Sequence, residues 1–393
     1  MQQLSLTHYT VTSALGCGLQ ETLATLRDRR SPLRPCDFET VTLRTFIGAV
    51  DGLEDCPVEG ALAAYDCRNN RLAQLALSQD GFRGAVAGAV KRYGSSRIGV
   101  FAGTSTAAIF ESEKAFRRLD PATGILPANF PYRETHNTFS IADFIQHTLR
   151  LEGPAVSISA ACASTAMTFA AASRMIEFGL CDAAVVGGVD SLCLTTLYGF
   201  HSLQLTSEGP CRPFDAARDG ISIGEAGGFA LLERAQSGSG IALLGYGETS
   251  DAHHMSSPHP EGLGARLAME KALASARLQS SDIDYVNLHG TATKVGDSAE
   301  DKAIAAVFGK STPCSSTKGM TGHTLGSSGI IEAILSTLGI VHGFIPASPT
   351  TLKVDPAIAC HYVTDGGERP LKRVMTNSFG FGGSNCSLIF GCA

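Results

Sequence analysis

"VSISAACASTAMTFAAASRM" (residues 156–175) runs from a short β-branched segment into a stretch of small residues, with Cys162 at the junction. No charge appears in it before Arg174. A strand followed at once by a small-residue helix is one β–α unit, and its lack of charge marks it as buried. The alternation recurs. "RIGVFAG" (97–103), "AVSIS" (155–159), "AAVVGGVD" (183–190) and "GGFALLER" (227–234) read as strands of a first half. "IALLGYGE" (241–248), "YVNLHG" (285–290), "RVMTNSFG" (373–380) and "NCSLIF" (385–390) read as strands of a second. Helices are expected over 70–79, 162–178, 262–276, 297–308 and 325–341. This pattern predicts an α/β fold. "AQSGSG" (235–240) reads as a hinge dividing residues 1–240 from 241–393. "GVFAGTST" (99–106) echoes "VNLHGTAT" (286–293), each a strand running into Gly-Thr-x-Thr, which supports two similar halves.

Composition narrows the function. The chain has 393 residues, 44% hydrophobic and only 17% charged, enough to bury two packed halves. Its net charge of −6 argues against nucleic acid as a main ligand. No run of about 18 apolar residues is seen, so no membrane span is expected. The opening "MQQLSLTHYTVTSALGCG" lacks Lys, Arg and a long apolar run, so no signal peptide is expected. The twelve cysteines contain no C-x-x-C pair. They read as free thiols in a reducing cytoplasm rather than as a zinc ribbon.

Four segments carry chemistry: Cys162, "LHGTATKVGDSAED" (288–301), "STKGMTGHTLGSSG" (316–329) and "NSFGFGGSN" (377–385). Cys162 follows a strand at the first turn of a helix, where unpaired N–H groups and the helix dipole favour a thiolate. Taken singly, it is one core thiol of twelve. His289 ends a strand, where α/β proteins expose reactive groups, and His323 lies in a Gly-rich turn ahead of an apolar helix. Singly, each reads as a packing or capping residue, and Lys318 as a surface lysine. "GFGGSN" is no dinucleotide loop, because Asn385 stands where the third glycine would fall. A turn offering N–H groups to an oxyanion fits better. A cysteine hydrolase needs one histidine and an orienting Asn or Asp. Two histidines with a lysine fit better a reaction that stabilises an enolate with two neutral donors.

Together "SACAST", "GGVDS" (187–191), "PCRPFDAARDGISIGEAGGFALLE" (210–233), "HGTAT", "KGMTGHTLGSSG" and "NSFGFGGSN" resemble the β-ketoacyl-acyl carrier protein synthases, the elongating condensing enzymes of fatty acid and type II polyketide synthesis. The resemblance covers nearly the whole chain. It implies the thiolase fold, two similar α-β-α-β-α halves in five layers, usually dimeric. By motif, Cys162 resembles the acyl-accepting nucleophile, and His289 and His323 the paired histidines. The resemblance implies an oxyanion hole from the N–H groups of Cys162 and Phe381. Phe381, beside Phe379, resembles the gate to the acyl pocket. It also implies a supporting Lys318–Glu300 ion pair, threonines Thr291 and Thr293 that hold the pantetheine arm, and a supporting Asn385. Acyl carrier protein is the implied partner, bringing substrates on phosphopantetheine, with no metal or redox cofactor. Arg68 and Arg71 in "DCRNNRLAQ" (66–74) resemble the carrier-docking region, and 183–190 the region near the dimer interface, read as an edge strand that a monomer would expose.

The chain also departs from housekeeping members. Lys294 stands where the family often has Pro, near the expected pantetheine mouth. Thr106 falls near the expected pocket floor. Segment 120–140 brings in Tyr132, His136 and Asn137. These features resemble bacterial synthases of aryl polyenes or related polyketides, some of which pair with a chain-length factor lacking the nucleophile. The alternatives are such a non-catalytic factor, which Cys162 argues against, and an acyl-CoA thiolase. A thiolase needs a second catalytic cysteine near the C-terminus, and Cys386 lies in a strand context instead.

Overall fold

The computed structural model describes residues 3–234 and 240–392. Five strands form the first half: β1 (Leu4–Ser13), β2 (Ile98–Gly103), β3 (Ala155–Ile158), β4 (Ala183–Asp190) and β5 (Ala226–Arg234). They lie in the order β1-β5-β4-β2-β3, with β2 parallel to β3 and β4 and the other pairs antiparallel. The second half supplies β6 (Ile241–Ser250), β7 (Tyr285–Asn287), β8 (Pro313–Ser315), β9 (Arg373–Phe379) and β10 (Ser384–Cys392). Their order is β6-β10-β9-β7-β8, with the same parallel and antiparallel pairs. Each strand of the first half thus has a counterpart five numbers later. The echo between 99–106 and 286–293 falls on the corresponding strands β2 and β7. The sheets join edge to edge where β1 pairs with β6 at Leu4↔Leu243, Ser5↔Ala242 and Leu6↔Ile241.

Helices complete five layers. Arg68–Leu77 (α1), Phe82–Tyr93 (α2) and Ser140–Leu149 (α3) cover the outer face of the first sheet. Two helices, Ser164–Glu177 (α4) and Ser328–His342 (α7), lie between the sheets and touch strands of both. Leu263–Ala276 (α5) and Lys294–Phe308 (α6) form the layer beyond the second sheet. A helix between two sheets must be apolar all round, and every residue of α7 from Ser328 to Ile340 is buried. With the 3-10 turn ahead of it, Leu325–His342 is long and apolar enough to cross a membrane. Its burial, 89% of that length, makes it a core helix here.

The sequence differs from the structure in detail. The helix after Cys162 begins at Ser164, not 162, and the fourth expected helix begins earlier, at Lys294. β1 was not among the expected strands, although it joins the two sheets. The expected hinge falls almost wholly on 235–239, outside the described residues. The larger correction concerns 183–190. This run is apolar because it is a central strand, buried at every position between β2 and β5. The open edge of the first sheet is β3, which is half-buried and pairs with β2 alone. At the matching edge of the second sheet, β8 is covered by His361–Tyr362, pairing Pro313↔His361 and Cys314↔Tyr362.

Candidate active site

Cys162 lies on a turn between β3 and α4, closed by Ala163 N–H to Ala160 O and Ser164 N–H to Ala161 O, each 3.1 Å. Ala161 sits in the left-handed region at φ 47°. A non-glycine residue there costs about 1–3 kcal/mol, strain that surrounding contacts must offset. Those contacts come from the small residues behind the thiol. A Cβ on Gly329 would fall 2.4 Å from the Ala166 nitrogen, so α7 crosses α4 backbone to backbone. Thr165 Oγ1 donates to Gly326 O (2.6 Å) and accepts from Ile330 N–H (3.0 Å). The smooth segment brings a helix from each half close enough for Cys162 to meet the residues ahead of α7.

His323 Nε2 lies 3.1 Å from Cys162 Sγ. Its Nδ1 accepts the Leu325 N–H at 3.2 Å. An amide nitrogen only donates, so the neutral ring carries its proton on Nε2. His289 Nδ1 faces the Lys318 ammonium at 3.4 Å, and an ammonium also only donates. His289 therefore holds its proton on Nε2 as well. The two rings stand edge to face, centroids 5.3 Å apart. Burial, then the Lys318 charge, holds both imidazoles well below their ordinary value, with His323 adding to the effect on His289. Both are neutral donors at pH 7.

Cys162 Sγ and one nitrogen of each histidine lie within 4.8 Å of one another. Such a trio could ligate zinc, but the ammonium against His289 opposes a dication there. Burial pushes the Cys162 thiol up to about 11, against Lys318 and the N–H groups of Phe381 and Cys162, which favour the thiolate. Those two N–H groups are the pair expected to form an oxyanion hole. A Cβ on Gly380 would press on Ala160 O at 3.0 Å and Cys162 N at 3.1 Å, so glycine lets the "GFGG" turn come this close without displacing either.

The expected Lys318–Glu300 ion pair does not form. Lys318 pairs with Glu332, both almost fully buried. Glu300 instead accepts the N–H groups of His289 (2.8 Å) and Gly290 (2.7 Å), fixing the loop that carries His289. The reason is placement: Glu300 on α6 faces the backbone of that loop, whereas Glu332 projects from the central helix against Lys318. Glu332 was missed, but its signal is plain, the one charge in "IIEAILSTLGIV" (330–341). Burial pushes its carboxyl up to about 7, with Lys318 pulling the other way.

A cavity of about 440 Å³ runs from His289 past Thr291, Thr293, Phe379 and Phe381 to Lys294. The Thr291 and Thr293 hydroxyls lie 2.9 Å apart, and Thr293 caps α6 by accepting the Gly296 N–H. Phe381 packs on Phe200 and Phe379 stands edge-on to His289. Asn385 Nδ2 donates to Asp251 Oδ1 at 2.8 Å, tying the "GFGG" turn to the segment after β6.

Two family models match in tandem: the β-ketoacyl synthase N-terminal domain over residues 73–238 and its C-terminal domain over 241–351. The chain belongs to the β-ketoacyl synthase family. It is 40% identical over 260 residues to the mitochondrial 3-oxoacyl-[acyl-carrier-protein] synthase of Arabidopsis thaliana, covering 61% of this chain and 56% of that protein. It is 37% identical over 258 residues to 3-oxoacyl-[acyl-carrier-protein] synthase 2 of Staphylococcus aureus, covering 62% and 64%. The chain thus spans 56% and 64% of the length of these curated relatives. The solved ketosynthase ApeO from Xenorhabdus doucetiae, in complex with its chain length factor ApeC, superimposes with a TM-score of 0.91 at 38% identity. That match covers 100% of this chain and 98% of ApeO.

Three further expectations for this β-ketoacyl synthase chain need correction. Arg68 is not a docking cation: its side chain is 10% exposed, forked onto Glu225 and paired with Glu54. Arg71 pairs with Asp66 and Glu54. Their three-residue spacing puts them on one helix face, but that face meets carboxylates rather than water. Thr106 spends its hydroxyl on Asp190 (2.9 Å) rather than on the cavity. Asp190, missed as a site residue, ends β4 and also accepts from Thr104 Oγ1 (2.6 Å) and the Gly326 N–H (2.6 Å). It joins the loop after β2 to the turn ahead of α7. In segment 120–140, His136 Nδ1 meets Ser112 Oγ at 2.5 Å, Tyr132 stands edge-on to His136, and Asn137 caps the Phe139 N–H.

Proposed function

We propose that this chain extends a carrier-bound acyl chain by decarboxylative Claisen condensation, a 3-oxoacyl-[acyl-carrier-protein] synthase activity. One observation carries the reading: Cys162 Sγ lies 3.1 Å from the Nε2–H of a neutral His323, with a second neutral donor, His289, beside it. The Cys162 sulfur attacks an acyl thioester. The bond to pantetheine breaks, and the pantetheine thiol leaves with the cysteine's proton. The Cys162 and Phe381 N–H groups stabilise the oxyanion. A malonyl thioester then enters, and its carbonyl oxygen accepts from His289 and His323. The bond to the carboxylate breaks, CO₂ leaves, and the electron pair remains as an enolate. The enolate carbon attacks the acyl-cysteine carbonyl, and the sulfur departs and regains a proton from water. Every step is a polar exchange between thioesters, so we assign the chain no cofactor of its own; phosphopantetheine arrives on acyl carrier protein.

The alternatives weaken against particular residues. A chain-length factor has no use for a nucleophile within reach of two neutral donors. The thiolase reading needs a reactive second thiol, and Cys386 is wholly buried on β10 with its thiol pushed well above the ordinary value. The duplicated strand order supports a division into two halves near residue 240. The twelve free cysteines support a reducing cytoplasm. For a partner we propose a chain-length factor in the setting of polyene or polyketide synthesis, because ApeO is solved with one and β3 offers an unpaired edge. Exposed Phe116, Ile125, Tyr132 and Phe139 in and beside segment 120–140 give that partner an apolar surface.

The test is direct. Acyl carrier protein thioesters should add one acyl mass to the wild-type chain and none to Cys162→Ala, and malonyl carrier protein should then give CO₂ and a 3-oxoacyl product. Acylation of Cys162→Ala at the wild-type rate would overturn the assignment.

A further inference from the structure

We propose that Lys294 is a specificity residue that binds the phosphate ester at the outer end of the pantetheine arm. This rests on reading the chain as an acceptor of pantetheine thioesters, and it assigns a task to the residue that departs from the family's proline.

The argument begins with the segment from His289 to Val295, which climbs out of the protein along one cavity. His289 and Thr291 are 8% and 9% exposed, Thr293 is half-buried, Lys294 is exposed, and Val295 is 58% exposed. All five line the same cavity. The backbone therefore lays a series of side chains from the imidazole outward to water. A pantetheine arm carries its chemistry in the same order: thioester, two amides, a geminal dimethyl group, then phosphate. The threonine hydroxyls match the amides. Val295, with Leu203 on the same cavity and 52% exposed, matches the dimethyl group. Lys294, beside Val295 at the exposed end of the series, supplies the cation that a phosphate requires.

Among the described residues, Lys294 is the only lysine or arginine lining this cavity. Its ammonium makes no ion pair or hydrogen bond among the described residues. The acids on the same cavity bond to other groups. Asp251 is engaged by Asn385 and the His259 N–H, Asp219 by Ser207, and Glu300 by two backbone N–H groups. The ammonium is thus unpaired at the exposed end of a cavity in which the Thr291 and Thr293 hydroxyls are the more buried groups. Arg68 and Arg71 cannot substitute, since carboxylates hold both.

Carrier protein and coenzyme A share this phosphate, so the experiment compares four substrates: malonyl-pantetheine, malonyl-phosphopantetheine, malonyl-coenzyme A and malonyl carrier protein. Decarboxylation is followed for the wild-type chain in its native assembly and for Lys294→Met, Lys294→Arg and Lys294→Glu. The wild type should favour the phosphorylated arm over malonyl-pantetheine by about three- to tenfold in KM, less at high salt. In Lys294→Met that ratio should fall to near one. Lys294→Arg should keep it, and Lys294→Glu should invert it. A ratio unchanged in Lys294→Met, in an enzyme that otherwise condenses, overturns the proposal and leaves the condensing activity standing. A loss confined to the carrier-protein substrate also overturns it, assigning Lys294 to the carrier's acidic surface. A wild type inert towards all four thioesters overturns both readings.

Discussion

The two halves share one strand order and differ in what they do with it. In the first, the turn after β3 carries Cys162 into α4. In the second, the segment after β8 carries Lys318 and His323 into α7. The same crossover thus delivers Cys162 from one half and Lys318 and His323 from the other, the contact between α4 and α7 brings Cys162 and His323 together, and His289 joins them from the turn after β7. The edges differ as well. His361–Tyr362 pairs with the outer edge of β8, whereas no strand among the described residues pairs with the outer edge of β3. Among the described residues, the unpaired edge open to another strand thus lies on the half that carries Cys162.

That difference can be broken at a single residue. Val100 N–H bonds Pro154 O (2.8 Å) and Thr104 N–H bonds Ile158 O (3.1 Å), so the even-numbered residues of β3 face β2. Alternation turns the Ser157 backbone outward. Ser157→Pro removes an outward donor while sparing the pairing with β2. Sedimentation should show the wild type as a dimer, with itself or a chain-length factor, and Ser157→Pro as a monomer. A Ser157→Pro chain that still dimerises would remove β3 from the interface.

The next contrast is between two acids of the second half. Glu332→Ala strands the Lys318 charge in the core, and breaking a buried pair this way costs about 3–5 kcal/mol. Glu300→Gln loses a charged acceptor of two amide N–H groups, about 1.5–3 kcal/mol. Denaturant midpoints should rank the two in that order, and Lys318→Met should recover part of the Glu332→Ala loss in a double-mutant cycle. Equal losses, with no coupling to Lys318, would restore the Lys318–Glu300 pairing.

Between halves, loading and decarboxylation should separate. His289→Ala and His323→Ala each remove one of the two donors proposed for the enolate oxygen, which should cost about 3 kcal/mol or roughly a hundredfold or more in rate. Acyl transfer to Cys162 should suffer less, because the oxyanion hole proposed for it uses backbone N–H groups of the first half and of the "GFGG" turn. Single-turnover mass spectrometry of the acyl-enzyme, beside a CO₂ assay, separates the two steps. Variants that condense normally but fail to load would reverse the roles.

Local patterns made most of this legible. Eight of the ten core strands are expected from apolar runs, and ordered motifs locate Cys162, His289, His323 and Phe381. What stayed hidden was pairing across distance. The apolar run 183–190 looked like an edge because apolarity marks burial without saying whether a strand or a partner provides it. Arg68 and Arg71 looked like a patch because Glu54, Glu225 and Asp66 meet them only in the folded chain. Glu332 was readable as a lone acid in an apolar helix, but nothing local names Lys318 as its partner. β1 was passed over because its start was weighed only as a signal peptide.

The smallest effect concerns pH. Burial and the Lys318 charge hold both imidazoles well below 6.5. Acid must protonate a histidine before that Nε2–H donor changes character, so decarboxylation should stay flat as pH falls through 6.5, where a solvated imidazole would already be half charged. Stability follows the same sign: the unfolded histidines take up protons below 6.5 that the folded ones refuse. Their contribution is therefore present above 6.5 and lost as pH falls towards the folded values. Lys318→Met removes the second cause of the shift but leaves the burial. Its acid limb should move up towards 6.5 without reaching it. A pH–rate profile of malonyl decarboxylation for the two proteins reads this displacement. A wild-type limb centred at 6.5, unmoved by Lys318→Met, would mean that the imidazoles are solvated and that the ammonium of the second half does not act on them.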